Sequence, residues 1–543
     1  MVMQNEKPHD DVELLSSSGD TSTEKLERTL TQFPPTASAE PKTETTETQA
    51  VQLTFPNIVL LGACANLTML SSGFSFNAMS ISLDQAARDL GIAEKDLQWT
   101  FNALYLAMVN LQSSNAEQMT RLMRRKAVYL VGIALFGIFS LVASFMPNPE
   151  GFFINRAVSG LGVAMILASN AGIIVENTSP GRTRSILLSI ANTGLPMGNL
   201  VALGVVGPLI EATNQWRSAF WCLAGMTVLP FLGTALFVKN RPILARQADR
   251  RIDWIGGFLF TAGFALLFYP LSQARSTPKG WATGYIIAML VLSFVLLVSA
   301  LCWQWYLEHK TTFPPVIRPS VLTKSRGKLA LVGFVVLCSM GCFSGFSYTT
   351  TIYYTSYQQL RPLQFALRFI PGPVVGIVFN VLAGVFLDQI PTHWFLCLGT
   401  SLTGLSSVLF ALRRRDSTYW QFDLAAHMFS YGANSLAASA GYIYVTKVVK
   451  PEEVAAANGA IQFAGALGGC IGPALATLVY TNVANTDVHL QADQLSGANR
   501  LALLGGLRAS YWFWAGLSFF GAFSTVARYV SLSLDRVTFT DHA

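Results

Sequence analysis

Apolar runs recur along the chain with short polar segments between them, near 55–77, 99–118, 127–146, 152–175, 184–209, 217–238, 254–273, 283–306, 329–354, 364–387, 392–412, 420–447, 453–480 and 509–532. Each is near or above the roughly 20 residues a helix needs to cross a bilayer. A bilayer offers no water to backbone N–H and C=O groups, so helices are the element these runs must adopt. The pattern therefore predicts an all-α polytopic membrane protein with fourteen spans. The second run stands apart, because Asn102, Asn110, Gln112, Asn115 and Glu117 make it polar on several faces. That suits a helix lining a cavity better than one facing lipid.

Composition points the same way. The chain is 52% hydrophobic and 12% charged, against about 25% charged for soluble domains. Residues 1–53 differ from the rest: they hold ten acidic and four basic side chains, many Ser and Thr, and Pro34-Pro35. Such a segment buries too little apolar surface to order itself and reads as a disordered tail. Its Ser16–Ser18 cluster offers a phosphorylation site, the plainer reading being a solvated tail. The features of a cleaved signal are absent, which leaves the first span as the insertion signal.

An even span count puts both ends on one side of the membrane. With the tail inside, the inner loops receive Arg121, Arg124, Arg125 and Lys126, then Arg182 and Arg184, then Lys239 to Arg251, then Lys310 to Lys328. The inside is the basic side, as membrane topology requires. Arg413, Arg414 and Arg415 object, falling outside with Asp416 as their nearest partner. The net charge of +7 is thus a product of topology, and nucleic acid is not an expected partner. The seven cysteines all lie in apolar spans without metal-site or disulfide spacing, so neither a metal nor a cofactor is expected.

Residues 184–221 carry Gly194, Pro196, Gly198, Gly204, Gly207 and Pro208 within an apolar span. Gly194, Gly198 and Ala202 fall four apart, on one helix face that admits a neighbouring backbone at close range. Pro196 frees a carbonyl there, with Asn192 and Asn199 as candidate partners. Gly469, Gly472 and Pro473 repeat the Gly-x-x-Gly-Pro of Gly204, Gly207 and Pro208 265 residues later, in span thirteen where the first lies in span five. Those positions are equivalent if six spans form each half and spans seven and eight are inserted between them. The alternative is two unrelated tight crossings.

Further motifs fall in a set order: Arg156 followed by small residues to Gly162 in span four, Trp216-Arg217-Ser218-Ala219-Phe220 opening span six, and Asp253-Trp254-Ile255-Gly256 opening span seven. Together with the span-five glycines, these resemble the major facilitator superfamily, specifically its fourteen-span drug:proton antiporter branch and fungal aminotriazole-resistance-type and multidrug efflux transporters, over about residues 55–532. The resemblance implies two six-helix bundles, 54–240 and 328–533, with basic loops and inserted spans at 241–327 and a cytoplasmic tail at 534–543. The family's loop pattern after span two falls on 117–126. Arg125 and Lys126 match it, but Glu117, Arg121 and Arg124 stand where its Gly and Asp positions lie. In the second half Asp388 keeps the acidic position, so a charge clasp to a helix end is expected on that side.

Span one has no acid, since Ser71 to Asn77 contains nothing titratable. Arg156, in the outer third of span four, needs polar partners inside the bundle or must snorkel to the headgroups; the neighbouring Asn155 favours the first. Asp423, His427 and Tyr431 share a face of span twelve, and His titrates nearest neutrality. Arg156, Asp423, His427 and Glu117 are accordingly the coupling candidates. Asn102, Tyr105, Tyr348, Tyr353, Tyr354, Asn380, Asn434 and Tyr442 are candidates for a wide, mostly uncharged cavity suited to amphipathic organic molecules, interfacial belts being their alternative place.

The resulting reading is a secondary transporter, not an enzyme, exporting a drug, toxin or secondary metabolite in exchange for protons by alternating access at a midplane site. No phosphate-binding loop supports ATP use. A monomer in the plasma membrane is expected, the vacuolar membrane being the other choice. Uptake or ion efflux on the same fold, and a non-transporting membrane sensor, are the competing readings.

Overall fold

The computed structural model describes residues 55–93, 96–112, 124–178, 182–238, 253–273, 277, 279–311, 313, 315, 320, 327–386, 390–414, 417–449, 454–484 and 497–540. The predicted tail with Ser16–Ser18, and the residues Glu117, Arg121 and Asp388, lie outside them. The described residues fold into helices alone, apart from the turns between them. The first eight are α1 (Phe55–Leu90), α2 (Trp99–Gln112), α3 (Arg125–Ser144), α4 (Pro149–Asn177), α5 (Arg182–Thr213), α6 (Arg217–Phe237), α7 (Trp254–Gln273) and α8 (Gly284–Lys310). Then follow α9 (Lys328–Ile352), α10 (Pro362–Phe369), α11 (Pro371–Phe386), α12 (Thr392–Ala411), α13 (Tyr419–Val448), α14 (Val454–Ala484) and α15 (Gly497–Thr540).

Among the described residues, eleven helices are long and apolar enough to cross a bilayer. The three other predicted spans are helical too: α2 is short in its described part, and α13 and α15 are the others. Three boundaries differ from the sequence expectation. Helix α1 runs on to Leu90 through Asp84, Arg88 and Asp89, because Arg88 ion-pairs with Asp84 one turn earlier and Asp89 finds partners on α6. Span ten is broken into α10 and α11 at Ile370, where Pro371 cannot donate a backbone bond. Helix α15 starts at Gly497 and its backbone stays helical to Thr540, through most of the stretch expected to be a tail.

Helices α1–α6 pack by a set of pairings that α9–α15 repeat. α1 lies on α5 and α6, α3 on α4 and α6, and α2 on α4; in the same way α9 lies on α14 and α15, α12 on α13 and α15, and α11 on α13. The two sets meet where α2 crosses α14 and where α5 crosses α10 and α11. Helices α7 and α8 form a separate pair, with α7 touching α2 and α14. On α8 the buried positions Ile286, Ser293, Ala300 and Leu307 fall seven apart, a single seam along the helix, and Ser293 bonds the Gly263 carbonyl of α7 at 2.9 Å. Much of the rest of α8 is apolar and outward-facing, as at Phe294 and Leu301, which fits a helix against lipid.

Small residues set how closely these helices approach. A Cβ on Gly194 or Gly198 of α5 would run into the backbone carbonyls of Asn66 or Leu70 on α1, and one on Gly73 of α1 would strike that of Leu195. The counterparts are Gly468 and Gly472 of α14, whose added Cβ atoms would meet the carbonyls of Leu337 and Gly341 on α9. The equivalent contact therefore joins Gly194/Gly198 with Gly468/Gly472. The Gly204–Pro208 to Gly469–Pro473 letter match is out of register with it: Gly204 faces open space and Pro208 is exposed, Gly207 lies against Ala366 of α10, and Gly469 lies under the Tyr105 ring of α2.

Candidate functional site

Between the two sets lies a cavity of about 260 Å³. Its walls are mostly aromatic and aliphatic, with Phe76, Phe101, Tyr105 and Met108 from the first set and Met340 and Phe343 from the second. Ser72, Ser75, Asn199, Gln462 and Arg156 supply the polar lining. Arg156 is the charged group among the lining residues and is 1% exposed. It is held from two sides: Nη1 donates to Ser75 Oγ of α1 at 3.0 Å and Nε to the Thr100 carbonyl of α2 at 3.2 Å. Its guanidinium carbon stands 5.9 Å from the centre of the Phe220 ring. Gly160, one turn along α4, makes this possible, since it sits against the Leu104 carbonyl and brings α2 within reach. Asn155 does not assist; its amide bonds back to the Gly151 carbonyl of its own helix at 2.8 Å.

Of the predicted cavity residues, Tyr105 lines this space, and the others whose side chains are described lie elsewhere. Asn102 is buried at the α2–α14 crossing, where Cys470 Sγ approaches its carbonyl at 4.0 Å. Tyr348 packs edge-on against Phe101 at 5.8 Å and accepts from Thr477. Asn380 accepts from Ser439 at 3.0 Å, an α11–α13 tie, and Asn434 of α13 is likewise absent from the lining. The side chain of Tyr442 is outside the described residues. Sequence reading missed Gln462, Met340 and Phe343, which sit in helices too evenly apolar to reveal an inner face.

Among the described residues, the hydrogen bonds that tie the two sets lie level with the cavity or on the side away from Arg124, Arg125 and Lys126. Asn77 of α1 donates to Tyr431 of α13 at 3.5 Å and to Asn199 Oδ1 at 3.0 Å. Glu211 of α5 accepts from the Leu363 amide of α10 at 3.2 Å. Asn199 is therefore spent between α1 and α5, and Asn192 is exposed, so neither is shown against the carbonyl that Pro196 frees; Asn66 instead donates to the Ile190 carbonyl at 2.6 Å.

A second buried polar cluster sits at this far end, within the second set. Arg413 turns inward and forms an ion pair with Asp423, the two side chains being 4% and 0% exposed. Asp416, the partner expected for this arginine cluster, lies outside the described residues. Tyr354 donates to the same carboxylate oxygen at 2.7 Å, and the Tyr353 ring lies under the guanidinium at 4.5 Å. A π-helical turn, Tyr353–Tyr357, ends α9 and presents both rings here. Arg508 of α15 bonds the Arg413 carbonyl, and Arg368 lies over the Tyr354 ring at 5.5 Å.

His427 is one turn from Asp423 as the spacing predicts, but its ring meets the backbone of Asp423 and not the carboxylate. Its Nδ1 lies 2.7 Å from the Asp423 backbone carbonyl while the carboxylate faces Arg413. The imidazole is enclosed by Phe369, Phe410 and Tyr354, with ring centres at 4.5, 5.5 and 5.9 Å.

The basic loop and the motif opening α6 act as clasps. Lys126 donates to the Ala235 carbonyl in the last turn of α6 at 2.8 Å, and the Arg125 side chain lies over Gly172 of α4. Arg124 is exposed. At the far end Asp89 of α1 accepts from Trp216 at 2.9 Å and Arg217 at 3.1 Å, and Arg217 also bonds the Ser144 carbonyl of α3 at 2.9 Å. Asp253 caps α7 through the Gly256 amide at 2.8 Å and joins it to Trp303 and Gln304 of α8.

Comparison with known proteins agrees with this architecture. The multidrug transporter mfsC of Aspergillus fumigatus is 26% identical over 342 residues, covering 62% of each chain. The drug efflux pump JefA of Mycobacterium tuberculosis is 25% identical over 434 residues, 76% of this chain and 80% of its own. A crystal structure of a POT family transporter in complex with 5-aminolevulinic acid superposes with a TM-score of 0.59 at 15% identity, covering 88% of this chain and 96% of that one, a likeness of fold. The Major Facilitator Superfamily profile matches residues 65–473 and 332–536. The chain belongs to the Major Facilitator Superfamily and is a membrane transporter, not an enzyme.

Proposed function

We propose that the protein exports small organic compounds in exchange for protons, by rocking its two six-helix sets about the cavity. The observation that carries this reading is the cavity between the sets, apolar and aromatic with a few convergent polar groups. Such a site suits amphipathic molecules. The basic residues at the end that carries Arg124, Arg125 and Lys126 mark that side as cytoplasmic, the side from which an exporter loads. Fourteen crossings with both termini inside, as a monomer in the plasma membrane, complete the proposal. The names of mfsC and JefA support export of drug-like compounds.

For the proton we propose Asp423. It is a buried carboxylate whose charge is met by Arg413, with Tyr354 on the same oxygen and Arg368 and His427 close by. His427 and Tyr431 follow it on α13, and Tyr431 packs against the cavity residue Phe343 at 5.1 Å, so a packed line of side chains connects the two places. Taking up a proton would weaken the ion pair that holds α12 to α13. Everted membrane vesicles give the test: substrate should accumulate inside when their interior is acidified and stop when an ionophore collapses the gradient. Accumulation in right-side-out vesicles instead would establish uptake, and movement indifferent to pH would remove protons from the scheme.

A further inference from the structure

We infer that the cavity selects organic anions: aromatic or amphipathic molecules carrying one carboxylate or other anionic group, which docks on Arg156. The inference rests on the transport reading for its setting and adds the ligand class. Among the described lining residues Arg156 is the charged one, and no carboxylate joins it there. Its two hydrogen bonds go to neutral oxygens, Ser75 Oγ and the Thr100 carbonyl, which orient the guanidinium and leave its charge intact. Among the described residues its Nη2 group has no hydrogen-bond partner. The fully buried acids there are spoken for elsewhere: Asp423 by Arg413 and Tyr354, and Asp253 by Gly256, Trp303 and Gln304.

A guanidinium in an apolar enclosure without a counter-ion is an unfinished ion pair, because a buried charge needs a partner. A ligand anion supplies it, bidentate if it is a carboxylate. A cationic ligand meets the opposite situation: it gives up water to sit beside a like charge, with no acid in the walls to offset it. The surrounding rings Phe76, Phe101, Tyr105 and Phe343 then hold the apolar body of the ligand.

Two xanthene dyes of similar size and opposite charge test this on purified full-length protein by fluorescence polarisation: fluorescein, an anion, and rhodamine 6G, a permanent cation. Fluorescein should bind at least about tenfold more tightly, a difference near 1.4 kcal/mol. Arg156→Gln should abolish or invert that ratio, while Arg156→Lys, which keeps the charge, should retain a preference for fluorescein. Equal binding, tighter rhodamine binding by the wild type, or a full fluorescein preference in Arg156→Gln would overturn the proposal. If Arg156→Gln does not fold, the wild-type ratio together with Arg156→Lys decides. Fluorescein bound with the expected preference but not moved in vesicles would refute transport of that probe and leave the ligand class standing; rhodamine moved without fluorescein binding would do the reverse.

Discussion

The two six-helix sets share their pairings and differ in where they keep charge. In the first, Arg156 faces the shared cavity and is held by a hydroxyl and a carbonyl. In the second, Arg413 faces away from the cavity and is neutralised by Asp423. At an effective dielectric of about 20, a unit charge some 6 Å from Arg156 feels roughly 3 kcal/mol, enough to decide which ligands stay. The charge on Arg413 is already met. One arginine is thus available to the cargo while the other belongs to the scaffold, and a common architecture divides binding from latching.

The largest expected effect tests what the sets have in common. Gly198→Leu and Gly472→Leu should each abolish transport, because the added side chain meets backbone of α1 or α9 that cannot move aside. Gly204→Leu, which points into open space, should change stability by less than ~0.5 kcal/mol, as surface substitutions do. Flux assays beside quantification of protein in the membrane check all three. If Gly198→Leu transports normally, the α1–α5 contact is not needed for turnover.

The next effect tests the difference. Arg413→Gln leaves Asp423 buried without its cation and should lower stability by about 3–5 kcal/mol. Arg156→Gln removes hydrogen bonds to neutral groups and should cost about 1 kcal/mol. Unfolding midpoints of the purified variants measure both. Adding Asp423→Asn to Arg413→Gln should restore part of the loss, with a coupling of about 1–3 kcal/mol between the two sites. Equal losses from Arg156→Gln and Arg413→Gln would erase the distinction.

The apolar periods carried most of this fold, because bilayer thickness fixes helix length. The small-residue face of Gly194 and Gly198 was legible for a similar reason, since spacing four apart admits a close neighbour whatever that neighbour is. Its partner in the second set was misaligned because Gly-x-x-Gly-Pro is a short string among 43 glycines, and packing rather than spelling fixes equivalence. Arg156 was found as a costly charge, but Ser75 and Thr100 are unremarkable letters far along the chain. The partner of Arg413 was missed because Arg413 lies beyond a span in sequence and folds back against the next one. A signal did exist: Asp423, in the second turn of an apolar helix, required a cation, and Arg413 is the nearest basic residue upstream outside the Arg414-Arg415 pair.

The smallest effect is expected at the residue whose letter drew most notice. His427 donates from Nδ1 to one backbone carbonyl and otherwise touches rings, the contacts of a packing side chain between Asp423 and Tyr431. His427→Gln keeps a hydrogen-bonding group there and should preserve both binding and the dependence of flux on the pH gradient. The change in rate should be about twofold, equivalent to ~0.4 kcal/mol in the barrier. Asp423→Asn, one turn away, should by contrast remove the gradient dependence while leaving cargo binding at Arg156 within about twofold, since the two groups face different spaces. Everted vesicles at a series of imposed gradients, with dye binding measured on the same preparations, separate the two. Loss of gradient dependence in His427→Gln with its retention in Asp423→Asn would transfer the proton to the imidazole, and the Arg413–Asp423 pair would then be a fixed brace between α12 and α13.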